Sequence, residues 1–69
     1  MNFQTRLKEL RKEDGVTQKT LAAAIGTTSD CIGFWENGRS EPSISEIIAL
    51  AKYFGVTTDY LLGIADSYW

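Results

Sequence analysis

The stretch Gln18-Lys19-Thr20-Leu21-Ala22-Ala23-Ala24-Ile25-Gly26-Thr27-Thr28-Ser29-Asp30-Cys31-Ile32-Gly33-Phe34-Trp35-Glu36-Asn37 decides how this chain folds. Thr17 before it is an N-cap residue, and the run to Ile25 is rich in helix formers until Gly26 stops it. Ala22 is small enough for a second helix to pack closely against the first. Gly26 stands at the turn, where a positive φ strains any residue with a Cβ. Ile32 and Trp35, three apart on the second helix, face inward, and Leu21 and Ile25 answer them from the first. Two helices joined by a turn of about three or four residues containing Gly, crossing steeply, make a helix-turn-helix.

Outward from that unit the same punctuation continues. Phe3, Leu7 and Leu10 form a helical stripe that stops at Asp14-Gly15, where a left-handed C-terminal residue is wanted. Behind Pro42, Ser43-x-x-Glu46 is a capping box, and Ile44, Ile47, Ile48, Ala51 and Phe54 give its helix an apolar face ended by Gly55. Thr57 or Thr58 caps a final turn or two through Leu62, stopped by Gly63. No segment alternates with period two. The chain therefore reads as all-α: five short helices, tightly connected, in a compact bundle. The expected core is Leu7, Leu10, Leu21, Ile25, Ile32, Trp35, Ile47, Leu50, Ala51, Phe54 and Leu61.

Composition removes several function classes. The 69 residues hold one small domain, with no histidine and a single cysteine, Cys31. The commonest general base and metal ligand are thus missing, and neither an internal disulfide nor a zinc site can form. No strictly apolar run exceeds the five residues of Leu21–Ile25, far short of a membrane span. The first residues lack the layout of a signal peptide. A soluble, reducing, cytoplasmic setting, no cofactor and no enzymatic activity are the expectations.

Thr17-Gln18-Lys19-Thr20-Leu21-Ala22, Ile25-Gly26-Thr27-Thr28 and Trp35-Glu36-Asn37-Gly38, with Pro42 and the segment Ala51 to Gly63, carry a resemblance. Together they resemble phage repressors of the lambdoid Cro/C1 type, the XRE-type helix-turn-helix family. The likeness extends over residues 3 to 63, so the domain is expected at 1–63 with a short tail at 64–69. It implies a lambda-repressor-like five-helix fold whose third helix enters the major groove of double-stranded DNA. It also implies roles. Gln18 resembles the residue whose amide meets a DNA phosphate, with Lys19 as its charged neighbour, and a helix N-terminus suits an anion there. Asn37, Gly38 and Arg39 resemble a second phosphate clamp. Glu36 resembles the partner of a first-helix arginine, here Arg11.

Base reading then falls to the exposed face of the third helix: Thr28, Ser29, Asp30, Gly33 and Phe34. These depart from the family's usual Gln, Arg, Lys or Ser. Asp30 either complements the helix dipole or accepts a hydrogen from cytosine N4. Phe34 either presses on a thymine methyl or folds onto the domain beside Cys31. Gly33 costs helix stability, and either permits close approach to DNA or carries no role. Cys31 reads as a small buried hydrophobe rather than a redox switch. Lys8, Lys12 and Lys52 read as solvated helix faces. Tyr60 is either near a dimer interface or half in the core. Tyr68 and Trp69 either cover a partner subunit or mark the approach to a C-terminal domain of a longer chain.

Charge is the opposing fact. Seven Lys and Arg against nine Asp and Glu give a net charge of -2, where DNA-binding domains usually carry a basic surplus. The distribution softens this. Residues 1–19 are net +2 and residues 20–69 net -4, with Glu41, Glu46, Asp59 and Asp66 beyond the recognition helix. The expected function is a sequence-specific transcriptional regulator, most simply a repressor, binding a near-palindromic operator as a homodimer. The alternative is an antitoxin-like or other protein-interaction module on the same fold, its partner a toxin or a further domain.

Overall fold

Among the described residues five helices follow one another: α1 (Phe3–Glu13), α2 (Gln18–Ile25), α3 (Ser29–Asn37), α4 (Ile44–Phe54) and α5 (Thr58–Leu61). The computed structural model describes residues 2–66; Tyr68 and Trp69 lie outside them. Each helix begins on a side chain that accepts a backbone hydrogen bond. Asn2, Thr17, Thr28, Ser43 and Thr57 take the N–H groups of Thr5, Thr20, Cys31, Glu46 and Tyr60, satisfying donors that the helix itself leaves unpaired. At α4 the cap is reciprocal: Ser43 N–H donates to Glu46 Oε1 at 2.8 Å, while Glu46 N–H donates to Ser43 Oγ at 3.2 Å. The sharp exits fall on glycine. Gly26 and Gly38 cap α2 and α3 at φ +79° and +75°, the left-handed region that side chains with a Cβ resist.

α2 and α3 make the most extensive helix–helix contact, α1 packs on α3 and α5, and α4 closes the bundle against α2 and α5. The enclosed core is Leu7, Leu10, Leu21, Ala22, Ile32, Trp35, Leu50, Ala51 and Leu61. Ile25, Ile47 and Phe54, expected within it, are only partly buried against its edge. Ala22 takes a buried place because two helices cross over it.

On α4, Ile44 is 81% exposed and Ile48 is 44% exposed, so the apolar face read from periodicity is wider than its buried part, and both residues stay outside the core as expected. Leu50 and Ala51 turn inward and Ile47 and Phe54 flank them. At about 100° per residue this leaves Ile48 on the shoulder of the helix. Ile44, its first residue, overhangs the end of the bundle.

One charged residue goes the other way. Arg6 is 4% exposed, its guanidinium carbon 3.6 Å from the centroid of the Tyr60 ring. α1 and α5 are thus joined by a cation over an aromatic face, and Tyr60 is half-buried beneath it.

Candidate nucleic-acid interface

The α2–α3 unit turns one side to the core and the other to solvent. Leu21 and Ala22 of α2 and Ile32 and Trp35 of α3 are buried. The 3.6-residue period that buries Ile32 and Trp35 leaves Ser29, Asp30 and Phe34 exposed on α3, with the cap residue Thr28 exposed before them. Asp30 lies in the first turn, where a carboxylate complements the helix dipole. Gly33 is half-buried, with the Gln18 carboxamide nitrogen and oxygen both 3.7 Å from where a Cβ would sit. Gln18 therefore lies across this part of α3.

Behind that face sits a polar cluster that sequence reading resolved only in part. Arg11 Nε donates to Glu36 Oε2 at 2.7 Å and Arg11 Nη2 donates to Glu36 Oε1 at 3.2 Å. Arg11 Nη1 donates to the Val16 carbonyl at 3.1 Å, tying down the loop before α2. Gln18 Nε2 donates to Glu36 Oε1 at 3.1 Å. One carboxylate on α3 thus receives three hydrogens from two other helices, and it holds the Arg11 guanidinium above its usual pKa. Nothing in helical spacing could have revealed the Gln18–Glu36 bond, because it spans two elements.

An open concavity of about 620 Å³ lies where α2 and α3 begin, lined by Arg11, Lys12, Thr17, Gln18, Lys19 and Ser29 together with Gly15 and Val16. Three of its lining residues are cationic and none is acidic. Lys12, read from sequence as a solvated face, borders it. Arg11, Lys12 and Lys19 are thereby brought beside the N-terminus of α2, a position that favours anions.

Asn37, the last residue of α3, and Gly38 and Arg39 just past it are exposed. The Gly38 and Arg39 N–H groups donate back to the Trp35 and Phe34 carbonyls at 3.3 and 2.9 Å. Those amides serve the helix cap, so the side chains of Asn37 and Arg39 are what this corner offers outward. Cys31 is half-buried, which corrects the expectation of an enclosed hydrophobe. The Thr27 and Thr28 hydroxyls hold its thiol below the usual value. Among the described residues no group of His, Cys, Asp and Glu could hold a metal ion, and no helix is long and apolar enough to cross a membrane.

A helix-turn-helix family model matches residues 7–61. The chain is 34% identical over 61 residues to the uncharacterized HTH-type transcriptional regulator YobD of Bacillus subtilis, covering 88% of this chain and 54% of that one. It is 33% identical over 64 residues to an uncharacterized HTH-type transcriptional regulator of Archaeoglobus fulgidus, covering 93% and 91%. Among solved structures, the P22 c2 repressor in complex with synthetic operator 9T is similar at a TM-score of 0.88 and 28% identity, covering 94% of this chain and 98% of that one. The chain spans 54%, 30% and 56% of the length of three curated relatives it matches.

Proposed function

The chain belongs to the helix-turn-helix family, and from that premise we propose that it is a sequence-specific transcriptional regulator, most simply a repressor. It binds double-stranded DNA as a homodimer on a near-palindromic operator, with α3 in the major groove. Residues 1–63 form the DNA-binding domain and 64–69 its tail, and the setting is cytoplasmic. Thr28, Ser29, Asp30, Gly33 and Phe34 face the bases, while Gln18, Lys19, Asn37 and Arg39 hold the phosphates, with Gly38 supplying the turn between the last two. Arg11 and Glu36 hold the two reading helices together from within.

The observation that carries this reading is the basic, acid-free concavity at the start of α2, beside the exposed face of α3. Phosphate contacts set register and orientation, and the neighbouring helix face is then placed over base edges. The net charge of -2 lowers non-specific affinity without neutralising this face, because most carboxylates lie outside it. Selection of bound sites from a random DNA pool tests the proposal. The expected product is a pair of inverted half-sites about one helical turn apart, on the order of 10 base pairs centre to centre. A pool that yields no enriched sequence overturns it.

A further inference from the structure

We propose that Glu36 is a positioning residue for DNA binding, acting through Gln18 and beyond its pairing with Arg11. By accepting one Nε2 hydrogen of Gln18 it fixes the carboxamide and leaves the second Nε2 hydrogen for a DNA phosphate. This rests on the DNA-binding reading above.

The geometry supplies each element. The Glu36 side chain is 3% exposed, and Arg11 holds it through two bonds of 2.7 and 3.2 Å. The carboxylate is thus a fixed acceptor rather than a mobile surface group. Arg11 also bonds the Val16 carbonyl, so the same guanidinium sets the loop that delivers Gln18 to the start of α2. Gln18 Nε2 reaches Glu36 Oε1 at 3.1 Å, and the carboxamide lies against Gly33 at 3.7 Å. A primary amide carries two N–H donors, so one bond to Glu36 leaves one donor unspent. Gln18 also lines the concavity with Lys12 and Lys19, the place where a phosphate would sit.

An unrestrained glutamine loses rotamer freedom when it binds. One already held by a charged acceptor has lost it before DNA arrives, and preorganisation of that kind raises affinity. Glu36 therefore strengthens a contact that it does not itself make.

The test is a double-mutant cycle between Gln18→Ala and Glu36→Gln, read as affinity for a mixed-sequence duplex of about 20 base pairs at low salt, where phosphate contacts dominate. Glu36→Gln is expected to weaken binding about three- to tenfold when Gln18 is present, the range of one hydrogen bond. In the Gln18→Ala background the same change should cost less than about twofold. Equal losses in both backgrounds mean a merely structural role and overturn the proposal.

A second measurement uses the isotope-labelled parent protein and needs no variant. Adding the duplex should move one Gln18 Nε2 proton resonance and leave the one bonded to Glu36 in place. Movement of both, or of neither while α2 and α3 backbone amides shift, overturns the proposal. A parent that binds no duplex fails the DNA-binding reading itself, and the positioning role falls with it.

Discussion

Arg11 Nε lies 2.7 Å from Glu36 Oε2, joining α1 to α3 across 25 positions of the chain. The pair is nearly buried, its side chains 13% and 3% exposed. Removing one partner strands the other in a site with little water, so Glu36→Ala should lower the unfolding free energy by about 3 kcal/mol. Replacing both, Arg11→Met with Glu36→Leu, should recover much of that loss, because no unpaired charge remains. Urea midpoints of the three variants check this. A Glu36→Ala loss below about 0.5 kcal/mol, the size of an exposed pair, contradicts it.

Gly33 and Gly26 should respond to alanine in opposite directions. A Cβ at Gly33 meets nothing closer than 3.7 Å, so Gly33→Ala removes helix-interior flexibility and should stabilise the domain by about 0.5 to 1 kcal/mol. Gly26 has open space around it but sits at φ +79°, and Gly26→Ala should cost about 1 kcal/mol or more. Thermal unfolding of the two single variants decides the signs. A destabilised Gly33→Ala would show that the Gln18 carboxamide has no room to accommodate a methyl.

Tyr60 lies under the Arg6 guanidinium at 3.6 Å, and Arg6 is buried. Tyr60→Leu keeps apolar bulk but removes the ring face, so it should destabilise by about 1 kcal/mol or more. A urea midpoint unchanged from the parent would mean that the cation draws nothing from the ring.

The pattern of what was legible in sequence follows from the range of the forces involved. Helix boundaries are set by local chemistry, and the caps at Thr17, Thr28, Ser43 and Thr57 together with Gly26, Gly38 and Gly55 mark them within the sequence itself. Burial is less local. Periodicity gives α4 an apolar face that includes Ile44 and Ile48, yet how much of that face is buried depends on α2 and α5. Composition assigns arginine to the surface, whereas Arg6 is buried with its guanidinium over the Tyr60 ring. At the site, the pairing of Arg11 with Glu36 came from family resemblance. The bond from Gln18 to Glu36 came from neither pattern nor resemblance. It requires the turn at Gly26 to fold α2 back on α3, which brings two side chains 18 positions apart within reach.

The Cys31 thiol should show its environment through alkylation. Hydrogen bonds from the Thr27 and Thr28 hydroxyls favour the thiolate and hold the thiol below its usual value. Reaction with iodoacetamide should therefore rise at lower pH in the folded protein than in the urea-unfolded chain, since a depressed acid pKa means earlier deprotonation. Thr28→Val should move the folded profile back up. Coincident profiles for folded and unfolded protein contradict this account.

The most direct measurement of the central claim is a titration of the protein on its selected site and on a scrambled duplex of equal length, each at two salt concentrations. The selected site should bind on the order of a thousandfold or more tighter than the scrambled one. With few cations facing the phosphates, the salt dependence should be shallow, on the order of two to four counterions released per subunit. Equal affinity for the two duplexes at both salt concentrations would contradict a sequence-reading role for α3.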